Sequence, residues 1–245
     1  MKLEPLLVGL SFGEGPRWRD GKLWFSDFYV HQVRTVDEAG NAETIVEVPG
    51  RPSGLGWRPD GTMLIVSMTD RRLMRFADGK LSVEAELKPL ATGHCNDMIV
   101  DAKGRAYVGN FGFDRHAGEE PRAAVLVRVD PDRSVHQAAD GLMFPNGTVI
   151  TPDGKTMIIG ETFAKRLTAF DIAADGTLSN RRVWAETPNC NPDGICLDAE
   201  GGIWVTGAFT HHMIRVLEGG KVTHDLDLMA RAAYACMLGG QDRRT

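Results

Sequence analysis

The chain has 245 residues, 42% of them hydrophobic and 25% charged, with a net charge of −5 at pH 7. That composition is ordinary for a soluble globular protein. The acidic balance argues against a protein that coats nucleic-acid phosphates, and no apolar run approaches the ~20 residues of a membrane helix. The opening MKLEPLLVGLSFGEGP has too short an apolar run for a secretory signal. The four cysteines, Cys95, Cys190, Cys196 and Cys236, form no CxxC pair. Reduced thiols, a cytoplasmic location and no nucleic-acid or membrane partner are therefore expected. Oligomeric state is left open.

In chain order, the first unit opens with GEGPRWRDGKLWFSD at Gly13 and continues through HQVRTVD and AETIVEV. The second opens with RPSGLGWRPDGTMLIVSM at Arg51, followed by RRLMRFAD and LSVEAEL, and the third with HCNDMIVDAKGRAYVGN at His94. FPNGTVITPDGKTMIIGET at Phe144 leads into RLTAFDI and RRVWAE, and NPDGICLDAEGGIWVTG at Asn191 leads into HMIRVL and KVTHDLDL. The turn glycines Gly21, Gly61, Gly104, Gly154 and Gly201 lie 40, 43, 50 and 47 residues apart. A Gly turn between two apolar runs is a hairpin signal, and four short strands every 40 to 50 residues mark a β-propeller. A sixth opening, YACMLGGQDRRT, begins at Tyr234. The reading is an all-β, six-bladed propeller with four strands per blade, a single domain over residues 1–245. Its last blade is expected to be incomplete, reduced to an inner strand at Tyr234–Leu238 with LEPLLVGL as its outer strand.

Inner strands of a propeller line its channel, so equivalent positions converge on the axis. Four residues before Trp18, Trp57, Val100, Ile150 and Leu197 stand Glu14, Ser53, Asn96, Asn146 and Asp193. All five carry side-chain oxygen. Each alone could cap a strand or a turn. As a set on one axis they suit a hard cation, with Glu14 and Asp193 balancing a divalent charge. Ca²⁺ comes first, with Mg²⁺, Mn²⁺ and Zn²⁺ as alternatives. His211-His212 at a strand start reads as surface. Cys95 reads as a buried structural thiol, because it points away from Asn96 across the strand. No G-x-S-x-G elbow is present, and the loop from Asn110 to Arg122 is expected to border the channel mouth.

GEGPRW, FPNGTVITPDGKTMIIGET, NPDGICLDAEGGIWVTGA and ACMLGGQDRRT together resemble the senescence-marker-protein/gluconolactonase/luciferin-regenerating-enzyme family, which includes regucalcin. The resemblance covers the whole chain. It implies a six-bladed propeller with one divalent metal in the channel and lactone hydrolysis by metal-activated water. By position it implies Glu14, Asn146 and Asp193 as metal ligands, Asn96 as a substrate contact beside the metal, and Asp114 as an acidic substrate contact. Asp193 is assigned as the base. Sugar-lactone members often carry Arg two residues before that Asn, and this chain has His94. Sugar lactones are therefore expected to be poorer substrates than smaller or more apolar ones. The rival readings are a non-catalytic calcium-binding propeller and a strictosidine-synthase-like enzyme on the same scaffold.

Overall fold

The computed structural model of the protein describes residues 3–115, 117–229 and 231–242. Twenty strands form five separate four-stranded antiparallel sheets, each a simple meander from the channel outwards. Blade 1 holds β1 (Gly13–Arg19), β2 (Lys22–Asp27), β3 (Gln32–Asp37) and β4 (Ala42–Glu47). Blade 2 holds β5 (Pro52–Trp57), β6 (Met63–Ser67), β7 (Arg72–Ala77) and β8 (Lys80–Glu86). Blade 3 holds β9 (Cys95–Val100), β10 (Ala106–Asn110), β11 (Ala124–Val129) and β12 (Val135–Leu142). Blade 4 holds β13 (Pro145–Ile150), β14 (Thr156–Glu161), β15 (Arg166–Ile172) and β16 (Leu178–Glu186). Blade 5 holds β17 (Asn191–Leu197), β18 (Ile203–Ala208), β19 (His212–Val216) and β20 (Val222–Asp227).

The turns follow their chemistry. Asp20 and Gly21 both have positive φ, 52° and 74°, as a two-residue hairpin that follows the strand twist requires. In the longer turns an aspartate side chain takes backbone N–H groups, as Asp101 Oδ1 does from Lys103 (2.9 Å) and Arg105 (3.0 Å). The strand β6, MLIVS, is buried at every residue, because neighbouring blades cover both of its faces. The outermost strands are mostly exposed or half-buried instead.

Four apolar clusters fill the junctions between consecutive blades. Val33, Leu55 and Ile65 join blades 1 and 2, and Leu64, Leu73, Met98 and Val127 join blades 2 and 3. Tyr107, Leu126, Met157 and Phe170 join blades 3 and 4; Ile158, Leu167, Ile195 and Val205 join blades 4 and 5. Each fully buried Leu or Ile contributes about 1.5–3 kcal/mol, so stability comes chiefly from blade stacking.

The sixth blade expected from the repeat is not formed: five blades are present among the described residues. Residues 231–239 carry no strand, and neither do residues 3–12, the expected outer partner. A strand needs a neighbour to pair with. Tyr234–Leu238 meets β17 through Gly194 N–H to Tyr234 O at 2.7 Å, but no described strand follows to continue the sheet. The segment instead lies between blades 5 and 1. Ala235 packs on Gly194, and Gly239 lies so close to Trp18 that a Cβ there would be 2.8 Å from the indole. The last three residues of the expected sixth unit lie outside the described residues.

Candidate active site

The five inner strands carry the same irregularity at the same place. Their pairing with the second strand slips between Glu14 and Arg17, Pro52 and Leu55, Pro145 and Thr148, and Pro192 and Ile195, with a matching slip opposite Val108–Asn110 in blade 3. These bulges fall on Ser53, Asn96, Asn146 and Asp193, and in blade 1 on the two residues directly after Glu14, which itself pairs with Ser26. A bulge re-aims the side chain it carries. In four of the five strands the next residue is glycine, because the inner strands pass within backbone contact there. A Cβ on Gly15 would stand 2.6 Å from Ser53 O, and one on Gly147 would stand 2.5 Å from Asp193 O. The x-Gly pair is thus a sequence signal for the channel level that the oxygen register alone did not use.

Glu14, Asn96, Asn146 and Asp193 all line one cavity of about 440 Å³ at the channel mouth. Asn146 Nδ2 donates to Asp193 Oδ1 at 2.6 Å and to Thr162 Oγ1 at 3.3 Å. Thr162 in turn donates to Pro192 O at 2.6 Å, tying the residue after β14 to the residue before Asp193. Asn96 is buried, and its Nδ2 has no hydrogen-bond partner among the described residues. Burial pushes the Glu14 carboxyl well above the usual carboxylate range, with the charges of Asp193 and Asp97 adding to the shift. Asp193 is also raised, by burial first; the hydrogen bond from Asn146 and the charge of Arg115 oppose the rise. A buried and a partly buried acid sharing one cavity are costly as bare anions. Such a donor set fits a hard divalent cation, whose charge would offset both carboxylates. Among the described residues no group of three or more His, Cys, Asp or Glu could hold a metal ion, so an ion in the channel would have two carboxylates and rely on amide oxygens for the rest.

In blade 3 the glycine position is Asp97. Its Oδ1 accepts from Arg17 at 2.8 Å and from Met98 N at 2.8 Å, while Arg17 also donates to Met98 O at 2.6 Å. This ion pair links β1 to β9 beside the channel acids. Sequence reasoning missed it, since nothing in the repeat joins residues 80 positions apart.

The remaining expected residues fall elsewhere. Ser53 is buried; its carbonyl accepts from Ser26 Oγ at 2.6 Å, and its side chain is not among the cavity lining. His94 and Asp114 are likewise absent from that lining. The His94 ring sits 6.1 Å from Phe111, which does line the cavity. Asp114 Oδ1 accepts from Ala117 N at 3.0 Å, and Asp114 N donates to Glu119 Oε2 at 2.9 Å, so it organises the loop. That loop carries Arg115 into the cavity wall. Cys95 is fully buried and its thiol is pushed up to about 12 by burial, which removes its nucleophilicity. His212 pairs with Asp225 at 2.7 Å, away from the cavity.

A family pattern described as the SMP-30/Gluconolactonase/LRE-like region matches residues 12–245. Regucalcin of Gallus gallus is 28% identical over 238 residues, 94% of this chain and 80% of its own length. The L-arabinolactonase of Azospirillum brasilense is 26% identical over 201 residues, 79% of this chain and 66% of its own. The structure of a calcium-binding protein, regucalcin, from Agrobacterium tumefaciens matches with a TM-score of 0.81 at 23% identity, over 96% of this chain and 81% of that one. A gluconolactonase from Xanthomonas campestris matches with a TM-score of 0.76 at 24% identity, over 94% and 80%. At these identities the two structures speak for the fold. Among the described residues no helix is long and apolar enough to cross a membrane.

Proposed function

The chain belongs to the SMP-30/gluconolactonase/LRE-like family, and from there we propose that it is a divalent-metal-dependent lactonase. The observation that carries the reading is the convergence of two carboxyls, partly buried Glu14 and buried Asp193, with the buried amides of Asn96 and Asn146 in one cavity. Glu14, Asn146 and Asp193 would hold the ion, Ca²⁺ in the first place. With Nδ2 committed to Asp193, Asn146 keeps Oδ1 as its acceptor. A bound ion supplies Lewis acidity towards a carbonyl oxygen and lowers the pKa of water.

The chain's own residues supply the rest. Asp193 accepts the proton of the attacking water. The water oxygen bonds to the acyl carbon, the acyl C–O bond of the ring breaks, and the ring oxygen leaves as a hydroxyl with that proton. Asn96 Nδ2, without a partner among the described residues, donates to the oxygen that becomes negative at the tetrahedral stage. His94 acts through Phe111, and Asp114 through the loop that presents Arg115.

The test is a lactone panel on chelator-treated protein, with Ca²⁺, Mg²⁺, Mn²⁺ and Zn²⁺ added back singly. Turnover lost on chelation and restored by one ion is the expected result; hydrolysis indifferent to chelation would overturn the assignment. A second reading, a calcium-binding propeller without catalysis, is favoured by the calcium-binding description of the Agrobacterium tumefaciens structure. It predicts ion binding with no turnover of any lactone.

A further inference from the structure

The cavity has a polar floor and an apolar wall, and its lining carries two cations, of which Arg115 also acts on Asp193 through its charge. Phe12, Phe28, Tyr29, Phe111 and Phe144 build much of the wall. Phe111 stacks on Phe144 with centroids 4.4 Å apart, and Phe12 lies 4.8 Å from Phe28. These faces suit a flat apolar body better than a polyhydroxylated one.

The cations are Arg51 and Arg115. Arg51 lies over the Tyr29 ring at 5.2 Å and Arg115 over the Phe209 ring at 5.5 Å. Arg17, by contrast, is held by Asp97 at 2.8 Å; no ion pair holds Arg51 or Arg115 among the described residues. Once Arg17 offsets Asp97, and a divalent ion offsets Glu14 and Asp193, these two guanidinium groups leave net positive charge at the mouth. Stacking on an aromatic face leaves the edge donors of a guanidinium free to meet a carboxylate.

Three of the eleven described non-glycine residues with positive φ also belong to this mouth. Arg51, Phe144 and Phe209 have φ of 66°, 60° and 65°, a region unfavourable for any residue with a Cβ. All three line the cavity. Glycine would adopt these angles freely, and each of the three instead carries a large side chain into the cavity wall.

We propose that the substrate is a lactone with an aromatic or similarly flat apolar body bearing a carboxylate, which Arg51 and Arg115 bind while the ring ester lies over Glu14, Asn96 and Asp193. This inference rests on the lactonase reading and names its substrate class. The test compares dihydrocoumarin with a carboxylated dihydrocoumarin on Ca²⁺-loaded protein. The carboxylated ring should have kcat/KM higher by about tenfold, the scale of one charge-assisted contact, chiefly through KM. The preference should shrink with added salt, collapse in Arg51→Gln and Arg115→Gln, and return in part with Lys at either position. Equal or better use of the neutral ring by the unmodified protein would overturn the inference while leaving the lactonase reading intact. If neither ring is hydrolysed, the lactone panel alone judges the lactonase reading, and calorimetry with phenylacetate and phenylacetamide decides the anion site. Tighter binding of phenylacetate, lost in both Gln variants, supports it; equal binding overturns it. Should either Gln variant not fold, the salt dependence of the unmodified protein carries the same decision.

Discussion

The floor and the mouth of the channel are built on opposite terms. At the floor, glycines let backbones touch and leave the functional side chains at bulges in regular strands; a Cβ on Gly147 would meet Asp193 O and Ile195 N, each at 2.5 Å. At the mouth, large side chains take a conformation that glycine would adopt without cost, as Arg51, Phe144 and Phe209 do. The floor is therefore where substitution threatens the fold. At the mouth, substitution threatens recognition, and the fold can even gain.

The largest effect should come from the floor ligand. Asp193→Ala should weaken Ca²⁺ binding by more than about 100-fold in calorimetry, since even residues behind a metal ligand are worth roughly 10–100-fold. Ser53→Ala, at the same register but outside the cavity lining, should leave affinity within about threefold. Equal losses from the two would show that the floor acts as packing.

Next comes a contrast in stability. Gly147→Ala should destabilise the protein by about 1–3 kcal/mol, because the neighbouring strand must shift. Phe209→Gly removes a side chain that is 63% exposed and relieves its positive φ. It should unfold no more easily than the unmodified protein and should gain up to about 1 kcal/mol. Thermal unfolding of the pair tests both halves, and a destabilised Phe209→Gly would place the mouth in the fold's core.

A smaller effect is expected with pH. In metal-free protein Glu14 and Asp193 bind protons up to a higher pH than they do unfolded. Their contribution is fully present below the ordinary carboxylate value of about 4 and is lost as pH rises through the raised values. Chelated protein should therefore grow more stable between pH 7 and pH 5. His212, raised by its hydrogen bond to Asp225, works in the same direction. Acids with lowered values, such as Glu161 and Asp198, lose their contribution only further down. Asp193→Asn should remove much of the slope, and saturating Ca²⁺ should remove it too; a slope unchanged by both would assign it to His212. The smallest effect belongs to His94→Ala, which should alter KM for an apolar lactone by about twofold, as suits a residue outside the cavity lining whose ring neighbours Phe111.

The blades and the channel level were legible because both are local patterns repeated. A turn glycine between two apolar runs specifies a hairpin wherever it occurs, and a fixed offset from that turn names the inward residue. Glu14, Asn96, Asn146 and Asp193 were found together for that reason. The same offset brought in Ser53, which the cavity leaves aside. The sixth blade was misread by the same logic. Tyr234–Leu238 reads like the other inner strands, yet no described neighbour completes a ladder with it, and pairing is a property of two segments.

What the one-dimensional pattern settled, then, was the all-β meander, the spacing of the blades and the ring of oxygen-bearing side chains, because hydrogen-bonded turns and strand alternation act over a few residues. Only the packed molecule decided that the described residues form five blades with a segment wedged between the last and the first. Only there do Arg17 and Asp97 meet across 80 positions, and Arg51 and Arg115 come to share one cavity. Those contacts join loops and strands distant in the chain, where charge and shape are set by whichever surfaces the stacked blades bring face to face.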